Sequence, residues 1–341
     1  MLELRIEPLD ADAMRDARAE LEQKTKPRGS LGRLEELAVQ LAGIGVSGPR
    51  CAIVVAAADH GYADEGVSAY PAEVTRQMLQ VFASGGAAIS VLSRLVDAEL
   101  VVVDAGVREE LNDPGVRSVR IGPGTANATH GAAMSRRQAL DALEAGISLA
   151  RELAGRVDIV ALGDMGIGNT TSAGALHAAL LGVPAAAVCG AGTGLDPDGV
   201  RRKAKVIDRA LAANGGRLDD PVDVLAALGG FEIAFLAGVA LGAAAERLAV
   251  VLDGFIVTAA ALVAARLKPT AVSYMVAGHL SPEPGHRLGL GSLGLRPLLD
   301  LELRLGEGTG AALALPLLQA SRALLAEMAT FDQAGVTDAG R

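Results

Sequence analysis

The sequence predicts a doubly wound α/β fold: a mostly parallel, Rossmann-like sheet with helices on both faces, plus a small helical domain built from the two chain ends. Two patterns and one composition predict it. Short apolar runs ending in Gly, Asp or His recur through the middle of the chain, and helix-length Ala/Leu segments separate them. A strand that is apolar along its whole length suits a parallel sheet covered on both faces. Half of the 341 residues are hydrophobic, yet there is no Trp and there are only 5 Phe and 3 Tyr. A core of small side chains allows helices to lie close on a sheet.

The elements follow in order. Residues 10–24 are charged and helical in pattern, and 26–33 break that helix. Ser30 reads as the cap of a second helix whose apolar positions Leu34, Leu37, Ala38 and Leu41 have helical spacing. Strand runs are read at 51–61, 100–106, 157–166, 185–192, 248–254 and 271–279. Helices are read at 72–95, 135–155, 199–214, 231–247 and 256–267, and a buried helix follows Gly310 with Leu313, Leu315, Leu317 and Leu318. The predicted domains are 1–45 with 313–341, a small helical unit, and 46–312, a large α/β catalytic unit. The tail from Phe331 is expected to fray. In such a fold the polar residues at strand C-termini converge on one edge, where ligands bind.

Composition excludes several classes. A net charge of −9 argues against a nucleic-acid partner, which asks for a basic face. Cys51 and Cys189 each lie inside an apolar run, which predicts buried thiols in a reducing, cytoplasmic setting and no disulfide framework. No secretory leader is read at the start. The charge-free stretch 170–195 raises the membrane question, but its Ala-rich content, Pro184 and glycines read better as a loop, a buried helix and a strand. No membrane partner is expected.

Three stretches carry chemistry. Gly163-Asp164-Met165-Gly166-Ile167-Gly168-Asn169-Thr170-Thr171 follows a strand run and precedes a helix, which offers free N–H groups and hydroxyls to an anion. Gly190, Gly192 and Gly194 repeat the arrangement, with Lys203 and Lys205 further on. Two such loops on one sheet edge suggest a phosphorylated ligand. In Arg304-Leu-Gly-Glu-Gly-Thr-Gly310 a single carboxylate, Glu307, stands between glycines ahead of an apolar run. A lone ionisable group against apolar walls has its pKa raised, as a general base requires. The bland alternative is a loop glutamate that complements a helix dipole.

Other chemistries find no support. The literal Gly289-Leu-Gly291-Ser-Leu-Gly294 does not follow a strand, so it is rejected as a dinucleotide loop. The five histidines lack metal-ligand spacing, and only His60, beside Asp59 at a strand end, is suggestive. No nucleophile elbow is present. No cofactor and no metal are expected. Tyr70, Met78, Met165, Ile167 and Leu305 are candidate apolar walls for a flat ring.

Taken in order, Lys26-Pro-Arg-Gly-Ser-Leu-Gly-Arg-Leu-Glu35, Ala58-Asp-His-Gly, Asp64-Glu-Gly-Val67, Gly163 to Thr171, Gly229-Gly-Phe-Glu232, Leu252-Asp-Gly-Phe255 and Leu303 to Ala314 resemble nicotinate-nucleotide:dimethylbenzimidazole phosphoribosyltransferase. The likeness runs from about residue 24 to about residue 325. It implies a homodimeric enzyme of cobalamin biosynthesis that turns nicotinate mononucleotide and 5,6-dimethylbenzimidazole into α-ribazole 5′-phosphate and nicotinate. The resemblance places Glu307 on the family's general base. It places Asp164 where relatives commonly carry Glu, in a supporting role and one methylene shorter. Tyr70, Met78, Met165, Ile167 and Leu305 fall on the benzimidazole pocket, with Tyr70 and Met78 replacing the Ser and Gln of some relatives. Gly166, Gly168, Asn169, Thr170, Gly190, Gly192, Gly194 and Lys203 fall on the phosphoribosyl side. The alternatives are transfer to adenine, another benzimidazole or a phenol, or a non-catalytic nucleotide-binding protein of the same fold.

Overall fold

Cys51–Ala58 (β1) holds only Cys, Ala, Ile and Val, and every one of its residues is buried, so it needs cover on both faces. It lies in the middle of a sheet with β2 (Ala98–Gly106), β3 (Arg117–Ser118), β4 (Ile159–Met165), β5 (Ala249–Leu252) and β6 (Met275–Ala277). This computed structural model describes residues 4–192 and 194–337. Residues 1–3, Thr193 of the second glycine loop, and 338–341 of the expected helical unit lie outside them. Among the described residues the strand order is β3-β2-β1-β4-β5-β6, and every pairing is parallel. That is the doubly wound order of the Rossmann fold, whose ligand crevice opens where the winding reverses, here between β1 and β4.

The helices are α1 (Ala11–Gln23), α2 (Arg33–Ile44), α3 (Glu73–Ala83), α4 (Ala88–Leu95), α5 (Arg136–Leu153), α6 (Asn169–Leu181) and α7 (Ala185–Val188). They continue as α8 (Pro197–Asn214), α9 (Pro221–Leu228), α10 (Phe231–Ala245), α11 (Phe255–Leu267), α12 (Pro284–Leu293), α13 (Thr309–Glu327) and α14 (Phe331–Ala334). α10 is apolar all round and buried along nearly its whole length, the pattern of a helix in a core. It crosses α5 backbone to backbone. A Cβ on Gly238 would lie 2.1 Å from the Leu143 carbonyl oxygen, and one on Gly146 2.1 Å from that of Phe235.

Four expectations need correction. The strand read at 185–192 is instead the single helical turn α7 followed by a loop into α8. Ala-Ala-Ala-Val after Pro184 favours helix over strand, since Ala ranks first for helices and low for sheets. β5 already occupies the place beside β4. The helix read at 72–95 is two, because Gly85 takes a left-handed φ of 78° between α3 and α4. Ser30 does not cap α2, whose N-cap is Gly32; Glu35 instead accepts the Leu31 amide and pairs with buried Lys26 at 2.8 Å. The two-residue β3 was not read, being short and exposed.

Among the described residues, α3 with α4, and α13, are the stretches apolar and long enough to raise the membrane question by length and composition. The first is broken in two, and α13 packs its Ala311, Ala312, Leu315 and Leu318 into the main core. α1, α2 and Leu325 of α13 share a smaller cluster with Ala17, Leu21, Ala38 and Val39 at its centre. The segment before α14 is tied to the end of α1 by an antiparallel bridge from Lys24 to Thr330.

Candidate active site

The C-terminal ends of β4, β5 and β6 open into a cleft. Asp164, Met165, Gly166, Ile167, Gly168, Asn169 and Thr170 line it from β4 and the start of α6, and Gly192, Lys203 and Leu305 line it from other elements. Tyr70, Met78, Gly190, Gly194 and Glu307 are not in its walls. Tyr70 is 52% exposed and lies two residues past Ser68, which is a wall residue. Met78 is half-buried on α3 against the core.

Glu307 lies one residue beyond the wall formed by Leu303 to Gly306 and is 5% exposed. Gly306, Glu307 and Gly308 all take left-handed φ values, 85°, 63° and 84°. For glycine that conformation is free, and for glutamate it costs about 1 kcal/mol or more. Gly163 makes the passage possible, since a Cβ there would sit 2.5 Å from the Glu307 carbonyl. The Glu307 amide donates to the Asp164 carbonyl at 3.1 Å. Its Oε2 is buried with no hydrogen-bond partner. Burial pushes the carboxyl up, the Ile89 amide at the start of α4 pulls it partly back, and the Asp253 charge adds to the rise.

Asp164 is the next-to-last residue of β4 and is nearly sealed. Its Oδ2 accepts from Asn169 Nδ2 at 2.9 Å, while Oδ1 has no partner. Burial, then the charges of Asp253 and Glu232, hold its carboxyl well above the usual range. Asp253, at the end of β5, accepts the amides of Gly310 at 2.7 Å and Ala311 at 3.0 Å on one oxygen and Gly308 at 3.3 Å on the other. His279 Nε2 stands 3.5 Å from it.

Below the first glycine loop, His60 Nε2 meets Glu232 Oε1 at 2.6 Å, both fully buried. A Cβ on Gly166 would be 3.3 Å from the His60 ring, so the loop rests directly on this pair. The loop's own amides are partly spent: Ile167 donates to Thr75 Oγ1 at 3.1 Å and Thr171 to the Gly168 carbonyl at 3.0 Å. α6 has Gly168 as its N-cap, with φ 95° and no side-chain cap; the Asn169 amide donates to the Gly166 carbonyl at 3.1 Å, and Gly168, Asn169 and Thr170 at this helix N-terminus line the cleft. The second loop is held differently. Its Gly192 amide donates to Glu283 at 2.7 Å, and Lys203 Nζ donates to the Gly190 carbonyl at 3.0 Å. Burial draws the Lys203 pKa down against the pull of Glu283.

Sequence reading therefore missed Asp253, Glu283 and the His60–Glu232 pair as parts of the site. Asp253 and Glu232 each lay inside a quoted motif, the only signal available, because their partners are far off in the chain. Glu283 carried no signal; its place shows only when β6 and the second glycine loop meet. Among the described residues no three His, Cys, Asp or Glu side chains converge in a metal-holding group. Both cysteines are buried and unpaired, and burial raises each thiol to about 11.

With this geometry in place, comparison with known proteins is informative. A family model described as phosphoribosyltransferase (DBI_PRT) matches residues 6–336. A protein of Desulforudis audaxviator named nicotinate-nucleotide--dimethylbenzimidazole phosphoribosyltransferase is 53% identical over 98% of this chain and 97% of its own length. One of Azotobacter vinelandii with the same name is also 53% identical, again over 98% of this chain and 97% of its own length. The crystal structure of CobT from Thermus thermophilus superposes with a TM-score of 0.91 at 50% identity, covering 96% of this chain and 99% of that one.

Proposed function

The chain belongs to the DBI_PRT family of phosphoribosyltransferases, and on that premise we propose that it moves the phosphoribosyl group of nicotinate mononucleotide onto 5,6-dimethylbenzimidazole. The products are α-ribazole 5′-phosphate and nicotinate, in the branch of cobalamin biosynthesis that makes the lower ligand. The observation that carries the assignment of roles is Glu307: a buried carboxylate with one oxygen unpartnered, on a left-handed backbone at the edge of the cleft.

A benzimidazole nitrogen attacks C1′ from the face opposite the pyridinium. The C1′–N bond to nicotinate breaks, and its electron pair neutralises the departing ring, so no general acid is needed. The second benzimidazole nitrogen becomes acidic and gives its proton to Glu307, whose raised pKa suits a base at neutral pH. The phosphate meets the N-terminus of α6 and the Thr170 hydroxyl, with the Lys203 ammonium near Gly192. Holding both substrates in line supplies much of the acceleration. Met165, Ile167 and Leu305 supply apolar wall for the ring, and the family resemblance assigns Tyr70 and Met78 to the same pocket, although neither lines the cleft. Asp164 supports the site beside Glu307.

The same proposal takes the protein as a cytoplasmic homodimer with no nucleic-acid or membrane partner and no cofactor. The charge of −9 supports the first exclusion, and apolar side chains left exposed on α3 and α4 support a subunit contact. Residues 1–45 with 313–341 form the small helical domain of this proposal, and 46–312 the large catalytic one. Replacing Glu307 by Gln should cut turnover by about 10²-fold or more while nicotinate mononucleotide still binds. Nicotinate release at the parent rate in that variant would remove Glu307 from the reaction.

A further inference from the structure

We propose that Asp253 is the positioning residue for Glu307, fixing from the end of β5 the backbone that carries the base and placing a buried carboxylate beside it. The inference rests on the reading of Glu307 as the base.

α13 opens on Gly308, which has no side chain with which to cap the helix. Three of the N–H groups that a helix N-terminus leaves without partners belong here to Gly308, Gly310 and Ala311. Asp253 accepts all three, although it lies 55 to 58 residues away in the chain. An ordinary N-cap comes from the helix itself. This one comes from the sheet, so it ties the start of α13 to the strand that forms the cleft floor.

The residue whose geometry is fixed by this tie is Glu307. Left-handed backbone on a side-chain-bearing residue persists only where its surroundings over-determine it. On the N-terminal side, the Gly306 carbonyl accepts from the Thr309 amide at 3.1 Å and the Thr309 hydroxyl at 2.9 Å, and the Glu307 amide reaches Asp164. On the C-terminal side the clamp is Asp253. It is 1% exposed; burial raises its carboxyl, while His279 and the three amides favour the ionised form, whose charge water screens poorly. The charged or titratable groups facing Glu307 are Asp253 and Asp164; Asp253 also faces His279, and Asp164 also faces Glu232. The ionised Asp253 keeps the Glu307 proton on longer.

The rival reading is a helix cap with no part in the reaction. Asp253→Asn separates the two. Its amide oxygen can keep the bonds to Gly310 and Ala311, but its NH₂ would face the Gly308 amide donor to donor, and the charge is lost. The experiment measures kcat, KM and the pH profile of kcat/KM with nicotinate mononucleotide and dimethylbenzimidazole, using Asp253→Asn, Asp253→Glu, Glu307→Gln and the Asn/Gln double variant. We expect Asp253→Asn to lower kcat about 10-fold to 100-fold, the scale of a small misplacement of a reacting group. KM for nicotinate mononucleotide should stay within about threefold, and the acid limb should move to lower pH. Asp253→Glu, which keeps the charge, should leave the acid limb where it was. Added to Glu307→Gln, the Asn change should cost little more, because both act through one base.

A lower melting temperature for Asp253→Asn with kcat and acid limb unmoved would reduce Asp253 to a cap and overturn the proposal. So would an equal loss of kcat in the Glu307→Gln background. If Asp253→Asn does not fold, an acid limb displaced in Asp253→Glu as far as charge loss predicts would equally overturn it. Full activity of Glu307→Gln alone is a different failure: that of the base assignment.

Discussion

Three carboxylates stand around the start of α13, and they differ in how they are served. Asp253 has three amides with His279 beside it, whereas Asp164 has one carboxamide and Glu307 one amide, each with its other oxygen unpartnered. The best-served group anchors; the two poorly served ones hold their protons more readily. For Asp164 the raised pKa has a consequence for stability. The folded protein keeps this proton to higher pH than the unfolded chain does, so the contribution is present below the unfolded value near 3.8 and is lost as pH rises through the folded one. Asp164→Asn imitates the protonated form at every pH. It should therefore melt higher than the parent at pH 8, by about 3 °C, the order that 1 kcal/mol moves a large domain, with the gap closing toward pH 4. Equal melting temperatures at pH 8 would show that the carboxylate is accommodated without strain. Glu307 was legible in the sequence because glycines flank it and no rival acid stands in such a loop. Asp253 was not legible as its anchor, because hydrogen bonds across 55 residues leave no local pattern.

The helices and strands were legible where composition and position agree. β1, β2, β4, β5 and β6 each contain branched apolar residues; β1, β4, β5 and β6 fall within runs read as strands, and β2 begins two residues before its run. The run at 185–192 shared the ending in glycine but opens on three successive alanines with Val188 its one branched residue, and it folded as α7 and a loop. Glycine itself has two uses here that sequence cannot separate. Some glycines turn the chain, as at 306 and 308; others let helices touch. Gly238 and Gly146 are of the second kind, with a carbonyl oxygen 2.1 Å from where each Cβ would go. α10 already lies against β1, β2 and β4, so its backbone has no room to retreat on that side. Gly238→Ala should thus cost about 3 kcal/mol, the upper range for overpacking, read as a lowered midpoint in urea. An unchanged midpoint would mean that α5 and α10 are free to separate.

Across the molecule, the winding order points to the sheet edge at the strand C-termini, with its crevice between β1 and β4; the cleft lies on that edge but is displaced toward the ends of β4, β5 and β6. The polar core behind the cleft does not follow from it. His177 stacks on Phe255 at 4.4 Å between α6 and α11, and burial depresses its pKa to about 4. His286 on α12 is lowered to about 3 for the same reason, with nearby histidines adding to the effect. Both are neutral in the folded protein: His177 Nδ1–H donates to the Ala173 carbonyl, and His286 Nδ1 accepts the Ser281 amide. The unfolded chain takes up these protons first. Their stabilisation is complete above about pH 6.5 and is lost as pH falls toward the folded values. The gap in unfolding free energy between the parent and His177→Gln should accordingly shrink by about 3 kcal/mol from about pH 7 to about pH 4. A gap constant with pH would mean that His177 is charged inside the fold.

With no Trp and 3 Tyr, the protein has few natural light emitters, and the fold distributes them unevenly. Tyr62 and Tyr274 are fully sealed, whereas Tyr70 is half exposed, two residues from the cleft wall. A water-soluble quencher therefore reaches one fluorophore and leaves two alone. The quenchable part of the emission belongs to a single ring at the mouth of the cleft, and the protein carries its own optical gauge of what enters there.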